Sequence, residues 1–566
     1  APTSQPVSLT LRGLFYGISA LNGAATAQHH TRIYLNQRLI HDFSWPARGA
    51  FSFEAHASQS LLASGTNTIR IVLPMDELTF ESFHLNWLEI DYARALTAAQ
   101  DRLTFSLLPG EWEVQVDGFT SPDIQVYDIT TLTRPVQLTG VDVQNITGTY
   151  RARFAHSSSA SARFIALTES AIRSVDEAFL DQPSDLIHPA NGADYLIITH
   201  QDFYTAVQPL ANDRAARGLR VKMVKVQDVY DEFNFGLLDP QAIRDFLAYA
   251  YHNWQPPAPT FVLLVGDGTF DPLNYLGDLR PEFIPPYLAD VDYWIGETAA
   301  DNRYVSVSGD DFLPDMALGR LPVNTPAETT AMVNKILAYE QNPPQDEWNR
   351  KVMFIADNAD SAGDFALLSD QIADFELPGN YTPEKIYYKV THPSEISARN
   401  AITEGVNRGR LLVSYVGHSA VQYWAQEALF SKAYLPQLTN ADRLPLMLPM
   451  TCLDGYFIWP KPAVGDYSSL GELVVRLDGA GAVASFSPAG FGVAHGHDYL
   501  ERGLFRAIFA PFPTELGLAT LRAKLYLNEN TTGFTDLIET YILFGDPATR
   551  LQVVEPLRLM LPLIFR

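Results

Sequence analysis

Leu411-Leu-Val-Ser-Tyr-Val416 runs into Gly417-His418-Ser419, and Pro445-Leu-Met-Leu-Pro-Met-Thr451 runs into Cys452-Leu453-Asp454-Gly455. Each stretch is a short, almost wholly apolar run that stops at a turn carrying Gly. Runs of this kind read as strands buried on both faces. The 34 residues from His418 to Cys452 leave room for one crossover. A right-handed crossover makes the two strands near neighbours in one sheet. In open α/β sheets ligands bind beyond the carboxyl ends of the strands. His418 and Cys452 are therefore expected at one sheet edge, at a height where a substrate contacts both.

The pattern extends outward from these two strands. Tyr195-Leu-Ile-Ile-Thr-His200, residues 221–226, Phe261-Val-Leu-Leu-Val265, residues 351–356 and residues 385–390 are further short apolar runs. Helix-length segments separate them. Asp239-Pro240 supplies an N-cap and a first-turn residue ahead of Ala242, Ile243, Phe246, Leu247 and Ala250. Strands alternating with helices imply a parallel sheet covered on both faces. Residues 186–345 are expected to form a first α/β subdomain and 346–555 a catalytic one, with an apolar tail at 556–566. Before residue 185 the period shortens to two, as in Val7-Ser8-Leu9-Thr10-Leu11 and Leu85-Asn86-Trp87-Leu88-Glu89-Ile90. Residues 1–185 thus read as a β-rich sandwich or jelly-roll region of one or two modules.

Composition narrows the function classes. The chain has 566 residues, 47% of them hydrophobic and 12% aromatic, enough to bury a sizeable core. Its formal net charge of −25 repels phosphate backbones and argues against nucleic-acid binding. No apolar window is long enough for a membrane span. With Cys452 as the only cysteine, neither an internal disulfide nor a Cys-rich zinc site can form. The acidic balance and the many Thr, Tyr and Asn point to a secreted or cell-surface protein. Ala1-Pro2-Thr3-Ser4 opens directly into polar sequence, so the chain reads as a mature or trimmed form.

A lone Cys is usually a small buried apolar residue and a lone His a satisfied polar one. Placed together at two strand ends, a thiol suits nucleophilic acyl transfer and an imidazole suits proton transfer to and from it. At this point the chain resembles the gingipain family of cysteine peptidases, in the clan of the caspases and legumains. The resemblance is carried by Tyr415-Val416-Gly417-His418-Ser419 with Trp424, and by Thr451-Cys452-Leu453-Asp454-Gly455-Tyr456-Phe457. Val265-Gly266-Asp267-Gly268, Gly319-Arg320-Leu321-Pro322, Tyr339-Glu340 and Leu543-Phe544-Gly545-Asp546-Pro547 extend it from about 190 to 552. It implies a caspase-like α/β catalytic unit with a mainly parallel sheet.

The resemblance also implies roles. Cys452 is the nucleophile and His418 the proton carrier, with an oxyanion hole from the N–H groups of Cys452 and Ser419. Ser419 stands where the family commonly has Gly. The acid that orients His418 is Asp360 or Asp357, with Asp360 favoured because Ala359-Asp360-Ser361 matches one branch of the family after a one-residue shift. Asp370 matches the pocket carboxylate of arginine-specific relatives, Phe491 matches an aromatic pocket lid that is more usually Trp, and Gly417 lines the substrate site. Family members bind structural calcium, and Asp301, Asp310 and Asp311 are the acidic residues put forward for it, although they form no EF-hand loop. His495-Gly496-His497-Asp498 reads as a segment lining the pocket and opening a helix.

These readings give a secreted cysteine endopeptidase acting after Arg, and less after Lys, with no catalytic cofactor and a structural calcium. Its partners would be protein or peptide substrates, with glycan contact by the β region. Two other readings stand beside it. One is a sortase-like transpeptidase on the same fold. The other is a non-enzymatic glycan-binding surface protein, which would have no use for the Cys and His. The immunoglobulin-like domain that can follow such a unit is not expected, since about 20 residues follow Pro547.

Overall fold

A computed structural model of the chain describes residues 7–18, 28–74, 76, 81–174, 180, 183–277, 281–344, 346–460, 467–511 and 514–554. The tail expected at 556–566 lies outside them. Two compact units are present, Ala1–Asp181 and Gln182–Arg566.

The first unit holds two small β cores. Strands Arg48–Ser58, Ser8–Ile18 and Phe83–Asp91 form one three-stranded sheet, and Arg38–Pro46, Gln28–Leu35 and Ile69–Val72 form another. Along Ser8–Ile18 burial alternates residue by residue, as a half-buried strand requires. The inward residues Leu11 and Phe15 meet Ile33, Trp45, Phe53 and Ala55. A second pair of sheets, built from strands between Arg102 and Thr168, packs around Leu103, Phe105, Val116, Phe119, Phe154 and Phe164.

The second unit is organised by a ten-stranded sheet. Numbered in chain order, its strands are β1 (Tyr195–Thr199), β2 (Val221–Lys225), β3 (Phe261–Val265), β4 (Ala317–Leu321), β5 (Lys351–Ala356), β6 (Thr382–Tyr387), β7 (Leu412–Val416), β8 (Leu446–Met450), β9 (Ala484–Pro488) and β10 (Tyr541–Phe544). Their spatial order is β2-β1-β3-β4-β10-β9-β8-β7-β5-β6. Every residue of β1, β3, β7 and β8 is buried, which is what continuous apolar runs produce in a sheet covered on both faces. Neighbours are parallel except β9 and β10, which are antiparallel. The two halves of the sheet therefore run in opposite directions. The carboxyl ends of β7 and β8 lie level with the amino ends of the first half.

Several sequence motifs prove to hold this frame together. Arg320 is fully buried, donates to Asp301 at 2.8 Å, and donates to the carbonyls of Gly266 at 2.8 Å and Ile284 at 2.9 Å. A Cβ at Gly319 would stand 2.3 Å from the carbonyl of Gly545, so only Gly lets β4 and the chain after β10 approach this closely. Asp546 accepts from Tyr195 at 2.6 Å and from Arg214 Nε at 2.9 Å, and Arg214 also meets Glu340 at 2.7 Å. The strand expected at 385–390 is found at Thr382–Tyr387. It stops there because Lys389 takes a left-handed φ of 64° and the Tyr387 carbonyl accepts from Val390, Thr391 and His392 in a tight turn. Among the described residues no helix is long and apolar enough to cross a membrane.

Candidate active site

Strands β7 and β8 pair in parallel with Val416 opposite Met450. His418 and Cys452 each stand two residues beyond that pair, so both leave the sheet at the same edge and height. Two contacts knit the two strand ends and a third ties Cys452 to the segment after β9. Thr451 Oγ1 donates to the Gly417 carbonyl at 2.6 Å, Ser419 Oγ donates to the Cys452 carbonyl, and the Cys452 thiol points at the Gly492 carbonyl at 3.7 Å. After Cys452 the chain turns sharply through Leu453, which takes a left-handed φ of 54°. The Leu453 N–H then donates to Gly490 at 2.9 Å and the Gly455 N–H to Pro488 at 2.8 Å. The Cys452 loop is thereby tied to the segment leaving β9.

His418 is held from below and from the side. Its carbonyl accepts from the Tyr415 hydroxyl at 2.5 Å and from the Ala425 N–H at 2.7 Å. Tyr415 stacks flat on Trp424 with centroids 4.5 Å apart, and Trp424 Nε1 donates to buried Asp454 at 2.7 Å. Phe365 packs edge-on against the imidazole at 5.4 Å. The ring nitrogen Nε2 lies 2.9 Å from Asp360 Oδ2. Asp357 is differently placed. It is buried, and its carboxylate accepts from the backbone N–H of His418 at 3.4 Å and of Asn358 at 2.8 Å. A Cβ at Gly417 would stand 2.5 Å from the Asp357 Cβ and 2.6 Å from the Tyr415 hydroxyl, so this position is restricted to Gly.

The electrostatics follow from these positions. The Ala362 N–H, and then His418, hold the Asp360 carboxyl below the usual range. Burial pushes the Asp357 carboxyl up against the pull of its two N–H donors. Burial also pushes the Cys452 thiol up, with the charge of Asp292 adding to it. A thiol raised in this way is protonated at rest, so attack requires a base to take its proton. His418 Nδ1 is the ring nitrogen left over for that transfer, because Nε2 faces Asp360.

Other expected residues are placed elsewhere. Asp370, on the helix Phe365–Phe375, is met by Lys385 Nζ at 2.7 Å and by the Tyr387 hydroxyl at 2.8 Å, both on β6 at the far edge of the sheet. It is a paired carboxylate and not the open pocket floor expected of it. Asp301 is spent on Arg320 and on the N–H of Tyr287, whereas Asp310 and Asp311 are exposed. Among the described residues no three His, Cys, Asp or Glu side chains gather as a metal site. Asp301, Asp310 and Asp311 therefore do not fit a shared calcium site. His495, His497 and Asp498 lie in the helix Ala494–Ile508, where Asp498 pairs with Arg502 at 2.8 Å. His497 is buried beside Gly492, and burial lowers its pKa to about 3, so it is neutral.

Phe491 is half-buried on the segment beside Cys452, and its ring meets Trp294 at 5.9 Å. Its N–H donates to Asp292 at 2.5 Å. Neither Asp292 nor Trp294 is singled out by the sequence reading. The available signal is weak, an aromatic pair between Asp292 and Gly296 that marks a hairpin tip.

Residues 188–552 match the family model described as Peptidase family C25. Gingipain R1 of Porphyromonas gingivalis is 20% identical over 373 residues, covering 64% of this chain and 34% of the relative. Lys-gingipain of the same species is 24% identical over 330 residues, covering 56% of this chain and 17% of the relative. The chain thus spans only a minor part of these curated relatives. The crystal structure of the Arg-specific cysteine proteinase gingipain R superposes with a TM-score of 0.54 at 20% identity, covering 65% of this chain and 80% of that one. That likeness supports the caspase-like fold of the second unit. With the match spanning the whole ten-stranded sheet and both strand ends at the candidate site, the chain belongs to Peptidase family C25.

Proposed function

We propose that the second unit is a cysteine endopeptidase in which Cys452 is the nucleophile, His418 the proton carrier and Asp360 the acid that orients it. The observation that carries this reading is the contact of His418 Nε2 with Asp360 Oδ2, at a strand end level with the chain's only cysteine. His418 takes the thiol proton through Nδ1, and Cys452 Sγ bonds to the carbonyl carbon of the scissile peptide. The oxyanion lies against the N–H groups of Cys452 and Ser419. As the C–N bond breaks, the imidazolium gives its proton to the departing amine and an acyl-thioester remains. Water, deprotonated by His418, adds to the thioester, releasing the carboxylic acid and the free thiol. Asp360 keeps the ring in one tautomer and stabilises its charged form throughout.

The finer part of the reading is cleavage after a basic residue, Arg ahead of Lys. It is supported by the relatives, one a gingipain R and one a Lys-gingipain, and by the Arg-specific proteinase of similar fold. We further propose that the enzyme is exported.

Cys452→Ala is expected to abolish cleavage of a mixed protein substrate, read by mass spectrometry of the released peptides. It should cost the fold only about 1–2 kcal/mol. Iodoacetamide should label Cys452 stoichiometrically in the native protein. Peptides still released by the alanine variant would sink the thiol mechanism. Adding an amine nucleophile to the wild-type reaction separates hydrolysis, which gives free acids, from transpeptidation, which gives amine-capped products.

A further inference from the structure

The catalytic edge carries an element from the other half of the sheet. Strands Leu288–Asp292 and Gly296–Ala299 form an antiparallel hairpin. The hairpin lies in the long connection from β3 to β4, and it reaches the segment that follows β9, beside Cys452. Thr298 Oγ1 donates to the Ala489 carbonyl at 2.6 Å, and Asp292 Oδ2 accepts from the Phe491 N–H at 2.5 Å. The other carboxylate oxygen of Asp292 accepts from the N–H groups of Trp294 at 2.7 Å and Ile295 at 2.9 Å. One buried carboxylate, 2% exposed, therefore closes the hairpin turn and grips the neighbouring segment. A Cβ on Gly490 would stand 2.5 Å from it, so the grip depends on close backbone approach. Gly492, the residue after Phe491, is the one whose carbonyl meets the Cys452 thiol. A continuous line of contacts thus runs from the hairpin to the nucleophile. At the tip, the Trp294 ring lies against Phe491 while Tyr293 and Trp294 keep 62% and 36% of their surface open.

We propose that this hairpin is a specificity element of the site. Trp294 extends the aromatic wall begun by Phe491, the match to the family's pocket lid, so that the substrate side chain nearest Cys452 also lies against the hairpin, and Asp292 is the positioning residue that holds the two together. The inference rests on the peptidase reading above. An aromatic face of this kind takes the alkyl stem and the planar guanidinium of Arg better than the compact ammonium of Lys.

The test uses the full chain and a peptide library varied at the residue before the cut, with kcat and KM measured separately and the rate of Cys452 alkylation by iodoacetamide followed against pH. Trp294→Ala is expected to raise KM about tenfold for Arg peptides and to flatten the residue preference, as loss of a cation–aromatic contact would. Trp294→Phe should restore most of it, and alkylation should be unchanged in both. Asp292→Asn should flatten the same preference with both aromatic rings still in the chain, because the N–H groups of Phe491 and Trp294 lose the carboxylate that fixes them. Adding Trp294→Ala to it should then change the preference little further. Trp294→Ala with wild-type KM and preference would overturn the specificity role, and Asp292→Asn with wild-type preference would overturn the positioning role. A wild-type chain that cleaves no peptide overturns the peptidase reading itself, which no variant is needed to see.

Discussion

Replacing Asp360 and Asp357 one at a time separates two acids that lie three residues apart and do different things. Asp360 touches His418 Nε2 at 2.9 Å, with 40% of its side chain and 51% of that of His418 exposed. A pair this open holds less than about 1 kcal/mol of fold stability. Its worth lies in the reaction, where the imidazole becomes fully charged after taking the thiol proton. Losing the carboxylate should lower kcat/KM on the order of 10²-fold, the lower end for such groups, because water reaches the ring and replaces the carboxylate in part. Asp357 has the opposite character. It is buried and accepts two backbone N–H groups, those of His418 and Asn358. Asp357→Ala takes the shared acceptor from both donors at a buried position, and should cost about 1–3 kcal/mol of stability. The assay is kcat/KM on a peptide with Arg before the cut, alongside a urea unfolding curve for each variant. Asp360→Ala should keep the wild-type midpoint and lose activity, and Asp357→Ala should lose midpoint. If Asp360→Ala retains activity within about threefold of wild type, the orienting role argued from the 2.9 Å contact is wrong.

Two further outcomes follow from buried charge. Asp301→Ala strands the fully buried Arg320 guanidinium and should destabilise the second unit by about 3–5 kcal/mol, whether or not calcium is present; an unmoved urea midpoint would refute it. Burial pushes the Glu501 carboxyl, which accepts from Ser414, up to about 8 from 4.5. Between those two pH values the folded state holds a proton that the unfolded chain has lost, so stability falls as pH rises across the window. Glu501→Gln should remove that slope and gain on the wild type by a few kcal/mol at its upper end, in order of magnitude. Parallel stability–pH curves for the two proteins would show that Glu501 is not the cause.

The apolar runs ending at Gly417-His418 and Thr451-Cys452 are local facts, and they are enough to place Cys452 and His418 at one sheet edge. Burial on both faces leaves a strand no freedom to alternate, so β1, β3, β7 and β8 are legible in the sequence without any partner being known. Alternation did the same for Ser8–Ile18. What the chain could not declare locally is which distant groups meet. Asp357 and Asp360 are equally polar residues of one loop, and only the packing buries the first and turns the second toward His418. Asp370 looks like a pocket carboxylate until β6 brings Lys385 and Tyr387 against it. Asp301 sits near Asp310 and Asp311 in sequence, yet it is drawn inward by Arg320. The long connection from β3 to β4 supplies the rest. It brings Asp292 and Trp294, some 160 residues before Cys452, against Phe491 at the edge where Cys452 lies. Side-chain charge and backbone donors are satisfied by whatever the tertiary register supplies, and that register is a property of the assembled sheet and not of any short stretch of the chain.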